Sequence, residues 1–174
     1  LVDEFVFDPD IEKGKEHGLA SSVRFSTNII TTNIVSLNLN LSYVYIGTPT
    51  FRHFNGTNNF IQGNMPIGWY NGSDGEEYSA GICLLKMEEF QLNLSYANLK
   101  SGSENIKQRP YEPYLDYYTG KFPSGNLENK QSLKLNIYWK MYPNFSLVFD
   151  SQIELSDAFS NEIQTSAEIQ FCYN

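Results

Sequence analysis

Hydrophobic and polar residues alternate along most of this chain. In NIVSLNLNLSYVY (33–45), Val35, Leu37, Leu39, Leu41, Tyr43 and Tyr45 fall on one side, and Ser36, Asn38, Asn40 and Ser42 on the other. A period of two predicts a β-strand with one apolar and one polar face. The pattern recurs with Leu19, Val23, Phe25 and Ile29 against Ser22, Arg24, Ser26 and Asn28. Tyr78, Ala80, Ile82 and Leu84 oppose Ser79, Gly81 and Cys83, and Phe90, Leu92, Leu94 and Tyr96 oppose Gln91, Asn93 and Ser95. Leu133, Leu135, Ile137, Trp139 and Met141 oppose Ser132, Lys134, Asn136 and Lys140. Phe145, Leu147, Phe149, Ile153 and Leu155 then oppose Asp150, Gln152 and Glu154. Ile163, Ala167, Ile169, Phe171 and Tyr173 against Gln164, Ser166, Glu168, Gln170 and Cys172 close the series. With VDEFVFD (2–8) these make about eight strands, and no helical period of useful length competes. The expected fold is all-β.

Short connections, TTN (31–33), KMEE (86–89) and YPN (142–144), alternate with long ones at 10–18, about 47–77, about 100–130 and SDAFSNE (156–162). An antiparallel up-and-down meander with all its long loops at one end follows. Outer-membrane β-barrels are built this way. A soluble β-sandwich alternates too, because the period does not say which face is covered. Three features favour the barrel. Several strands reach the roughly 9–11 residues that cross a bilayer, whereas strands more often run about 5–6. The apolar faces carry no charge, while Arg24, Lys134, Lys140, Asp150, Glu154 and Glu168 fall on the polar faces. Aromatics gather near strand ends: Tyr43, Tyr45 and Tyr96 toward the long loops, Trp139, Phe145 and Tyr173 toward the short turns. The expectation is one domain over 1–174, an outer-membrane β-barrel or the C-terminal part of a larger one, with extracellular long loops.

A length of 174 suits one domain. Aromatics are abundant, with 12 Tyr and 12 Phe, so the chain is not compositionally disordered. The net charge of −8 argues against a nucleic-acid partner, whose phosphates require a basic face. No stretch approaches 18 apolar residues, so no transmembrane helix is expected. Cys83 and Cys172 match no metal-ligand spacing and read as buried thiols or a single bridge. The opening LVDEFVFDPD, without Met, suggests a mature form or a piece of a longer protein.

One stretch, RHFNGTNNFIQGNMPIGWYNGSDGEE (52–77), holds no run long enough for a packed strand or helix, yet is studded with Phe54, Phe60, Trp69 and Tyr70. The block around it, 45–81, contains Phe51, Arg52 and His53, then Asn58 to Phe60, then Pro66, Ile67 and Gly68, then Gly72 and Asp74. In that order these residues resemble the C-terminal region of the capsule assembly Wzi family, and VDEFVFDPD (2–10) is similar to the strand preceding that region. The resemblance implies an outer-membrane barrel of several hundred residues, of which this chain is roughly the last third. It also implies a role in holding capsular or other surface polysaccharide.

Independently, sugar recognition needs flat aromatic faces ringed by amides and carboxylates. The first long loop offers His53, Trp69, Tyr70, Asn71 and Asp74; the second offers Arg109, Tyr111, Tyr114, Asp116, Tyr117 and Tyr118. The candidate polysaccharide site is Arg52, His53, Trp69, Asp74, Arg109, Tyr111, Tyr114, Asp116 and Tyr117. The same side chains also serve to pack a loop, and Arg52 and His53 to bond its own backbone. The expected partners are outer-membrane lipid and surface polysaccharide, with no nucleic acid, metal or cofactor. Catalysis is not expected. His17 and His53 are the only histidines, neither sits beside a recognisable nucleophile, and there is no glycine-rich phosphate loop. A glycosidase would need two opposed carboxylates, for which Asp74 and Asp116 are the candidates. The alternatives are a porin-like channel and a soluble secreted β-sandwich that binds carbohydrate.

Overall fold

The structure is a computed structural model that describes residues 18–52, 59–87, 89–108, 110, 122–142, 144–157 and 162–171. The strands are β1 (Ala20–Thr31), β2 (Val35–Ile46), β3 (Ile61–Gln62), β4 (Met65–Pro66), β5 (Gly75–Lys86), β6 (Phe90–Ser101), β7 (Glu128–Tyr142), β8 (Phe145–Ser156) and β9 (Glu162–Phe171). Seven of them form one sheet in the order β1-β2-β5-β6-β7-β8-β9, an antiparallel up-and-down meander, and β3 pairs with β4 apart from it. The described chain is all-β. No pair joins β1 to β9 among the described residues. The strand expected over 2–8 lies outside them.

The tight turns fall where the polar clusters interrupt the alternation. Thr32 Oγ1 accepts from the Val35 amide at 2.9 Å, while the Thr32 amide donates to Val35 O at 2.8 Å, closing the β1–β2 turn from both sides. The Glu89 amide donates to Lys86 O at 3.0 Å in the β5–β6 turn. Neighbouring turns are joined in their own right, Met87 N to Ile34 O at 3.1 Å and Lys140 N to Glu89 O at 2.6 Å.

Register across β7, β8 and β9 keeps the two faces apart. Leu133, Ile153 and Ile163 make one apolar row; Ile137, Phe149 and Ala167 make a second. Between them lie polar rows, Lys134 with Gln152 and Gln164, then Asn136 with Asp150 and Ser166. A slip of one residue would exchange the faces, so the pattern fixes the pairing. The β7–β8 register shifts at one place. A bulge between Lys140 and Tyr142 pairs Tyr142 with Phe145 and so puts it on the apolar side.

Two compact units are distinguished. One comprises Leu1–Ser22, Val44–Glu77 and Leu99–Asn129; the other comprises Val23–Tyr43, Tyr78–Asn98 and Lys130–Asn174. In the first, Val44, Ile46, Leu99 and Ile106 are buried, with a larger set of buried polar residues. In the second, no apolar side chain is buried among the described residues. Its apolar face is open instead: Val23 is 64 % exposed, Phe25 55 % and Ile163 71 %. Leu39, Leu94, Ile137 and Phe149, which a sheet-on-sheet sandwich would enclose, are only half-buried.

The polar face of this unit is knitted across strands. Asn38 Nδ2 donates to Asn28 Oδ1 at 3.0 Å, the Ser42 and Ser79 hydroxyls lie 2.6 Å apart, and Asn93 Nδ2 donates to Asn136 Oδ1 at 3.2 Å. Asn136 in turn donates to Asp150. Cys83 is a free, half-exposed thiol on this face; Cys172 lies outside the described residues.

Candidate functional site

The first compact unit contains both long loops, one following β2 and the other following β6. Asp74 links them. It has a left-handed backbone (φ 55°) and no solvent exposure. Its carboxylate accepts from Thr48 Oγ1 (2.9 Å), the Ser124 amide (2.9 Å), the Glu104 amide (3.1 Å) and the Ser124 hydroxyl. A buried charge is tolerable when hydrogen bonds replace its water, and here donors from two loops do so. The Gly102 amide also donates to Asp74 O at 2.8 Å. Gly102 has to be glycine, because a Cβ there would run into the Asp74 carboxylate and the Ser124 backbone.

Arg52 provides a second link. Its side chain is fully buried, and Nη1 donates to Glu104 O and, at 3.1 Å, to Glu104 Oε2. The Ile106 amide donates to Ser73 Oγ at 3.2 Å, and Asn59 Nδ2 donates to Pro110 O at 3.0 Å. The Asn- and Gly-rich stretch is therefore a folded element whose polar residues replace an apolar core. It also contains the β3–β4 hairpin, which the absence of a long apolar run does not foresee. Gly63 (φ 56°) and Asn64 (φ 65°) supply the two successive positive φ values that a tight hairpin turn requires. Phe51 and Phe60 pack with ring centroids 5.8 Å apart beside it.

Of the expected site residues, Arg52 and Asp74 are interior: Arg52 Nη1 bonds Glu104 and the Asp74 carboxylate bonds Glu104 and Ser124, so each links its loop to the other. Sealed by four donors, the Asp74 carboxylate is also not placed to act on a glycosidic bond. His53, Arg109, Tyr111, Tyr114, Asp116 and Tyr117 lie outside the described residues.

Trp69 is half-buried and meets Tyr70 edge-on, with centroids 5.7 Å apart. Tyr70 is exposed, and its hydroxyl donates to Glu77. Asn71 between loop and strand is buried, and its Nδ2 has no hydrogen-bond partner. Trp69 and Asn71 converge on Gly75, where a Cβ would lie 3.4 Å from each. Aromatic faces, an uncommitted amide donor and a carboxylate are thus brought together at Trp69, Tyr70, Asn71 and Glu77. Glu77 was not singled out from sequence, because an acidic pair at a strand start reads simply as solvated. Exposed Phe60, Met65 and Ile67 give the same unit further apolar surface. Among the described residues, no three His, Cys, Asp or Glu side chains are grouped as a metal site needs.

No protein-family model, curated protein or solved structure matches this chain.

Proposed function

We propose that this chain is an outer-membrane β-barrel protein, or the C-terminal part of one, that holds surface polysaccharide through the loops after β2 and β6. The open apolar face of the second unit, without one buried apolar side chain among the described residues, carries the membrane part of this reading. In water such a face gives up most of the hydrophobic stabilisation of folding; against lipid tails it needs no covering layer. Within the second unit the apolar face of β2 runs from Val35 to Tyr43. That is about 26 Å along the strand, or about 20 Å at a strand tilt of about 40°, most of the height of a barrel's lipid-facing band.

Chemistry changes at the band's edge. Tyr43 and Tyr78 stack with centroids 4.6 Å apart. Phenol rings at the end of an apolar band are characteristic of a membrane–water interface.

For the polysaccharide part, the Trp69, Tyr70, Asn71 and Glu77 cluster is the supporting observation, together with the resemblance of 45–81 to the Wzi family. Loops prefolded by the Asp74 and Arg52 links lose less conformational freedom on binding a glycan than open loops would.

Lipid vesicles carrying the protein should co-float it and retain labelled capsular polysaccharide. Trp69→Ala with Tyr70→Ala removes two aromatic contacts of about 1 kcal/mol each, a loss of about tenfold or more in affinity. Unchanged binding in that double variant counts against the polysaccharide role, and failure to float counts against the membrane.

A further inference from the structure

Gly81 lies in the interior of β5, where glycine lacks a side chain to pack and weakens the strand relative to alanine. Such a glycine usually serves a positive φ or a close backbone approach. Gly81 serves neither: its φ is not in the left-handed region, and a Cβ would meet nothing nearer than 3.4 Å, at Leu94 O and Ser95 Cβ. Its effect is on the space in front of it. On the polar face Gly81 stands between Ser79 and Cys83, so three small residues follow one another along β5.

A hollow of about 430 Å³ opens over them, lined by Arg24, Asn40, Ser42, Asn93 and Ser95 and also by apolar Phe25, Leu41, Ile82 and Leu94. A second hollow, of about 440 Å³, opens over the polar faces of β7, β8 and β9, with Lys134, Asn136, Asp150, Gln152, Gln164 and Ser166 in its lining. At roughly 30 Å³ per water, each has room for on the order of ten molecules and enough polar partners to hold them. Arg24 is the one charge lining the first hollow, and the second has one of each sign, Lys134 and Asp150, so neither sign of ion is favoured strongly.

We infer that the polar face of the second unit lines a water-filled passage for small hydrated solutes, with the small residues of β5 as its low wall. This is a transport function beside the binding role of the loops, and it rests on the barrel reading. No covalent step is involved.

The test is conductance of the full chain in planar lipid bilayers. The wild type should show discrete conductance steps. Gly81→Trp should reduce them several-fold, while Gly81→Ala should leave them unchanged. A bulky, membrane-impermeant methanethiosulfonate reagent added after insertion should block through Cys83, and Cys83→Ser should be immune. This arm does not depend on the tryptophan variant folding. Vesicle-inserted protein that conducts no better than bare bilayer, or whose conductance ignores Cys83 modification, overturns the passage while leaving the membrane reading intact. Failure of the protein to float with vesicles removes both.

Discussion

Asp74 shows how one residue organises a loop of this size. Replacing it with alanine would leave the Ser124 amide and the Thr48 hydroxyl without this acceptor and the Glu104 amide with Ser124 Oγ alone, a cost of about 3 kcal/mol. In Asp74→Ala, hydrogen exchange at the Glu104 and Ser124 amides is expected to accelerate about a hundredfold, the equivalent of that energy. Unchanged protection at both would show that the carboxylate does not hold the loops. The sequence around it, NGSDG, reads as turn chemistry, and turns are indeed there. Its principal partner, Ser124, is 50 positions away, and local composition contains no sign of a pairing at that separation. That is why the part Asp74 plays in joining the two loops is not legible in sequence.

At the scale of the strand, the distinction is between faces. Phe149 pairs with Ile137 and Ala167 on the apolar side, whereas Ser166 pairs with Asp150 on the polar side. On the proposed barrel, Phe149→Arg would put a charge against lipid at a cost of about 2–4 kcal/mol. Ser166→Arg gains an opposite charge across the strand, worth at most about 1 kcal/mol. Urea titration of folding in vesicles should therefore rank Phe149→Arg well below Ser166→Arg, and the reverse ranking would mean the faces are misassigned. The long strands were legible because ten or more alternating residues leave little ambiguity. The β3–β4 hairpin was not, since four paired residues are too few to display a period. Its one available signal is the Gly63-Asn64 dipeptide between Ile61-Gln62 and Met65-Pro66. The bulge at Met141 left no signal, because an inserted residue in the middle of Trp-Lys-Met-Tyr looks like continued alternation.

Across the whole molecule, the two tryptophans report on two environments. Trp139 is exposed on the apolar face near the β7–β8 turn, and Trp69 is half-buried in the long-loop unit. With Trp69→Phe, leaving Trp139, emission should shift to the blue on insertion into vesicles and be quenched by lipids brominated near the headgroup. With Trp139→Phe, leaving Trp69, neither effect is expected. Equal responses from the two variants would contradict a membrane band confined to the second unit.

The order of strands, the alternation of short and long connections and the separation of faces were settled by sequence, because each depends on near neighbours and on a period of two. Which face is covered depends on what surrounds the sheet, and the periodicity of a lipid-facing strand is identical to that of a core strand. The open apolar face, the interior positions of Arg52 and Asp74 and the meeting of Tyr70 with Glu77 emerge only in the folded chain. Burial and hydrogen bonding between distant segments are properties of the folded chain, and no local run of residues encodes them.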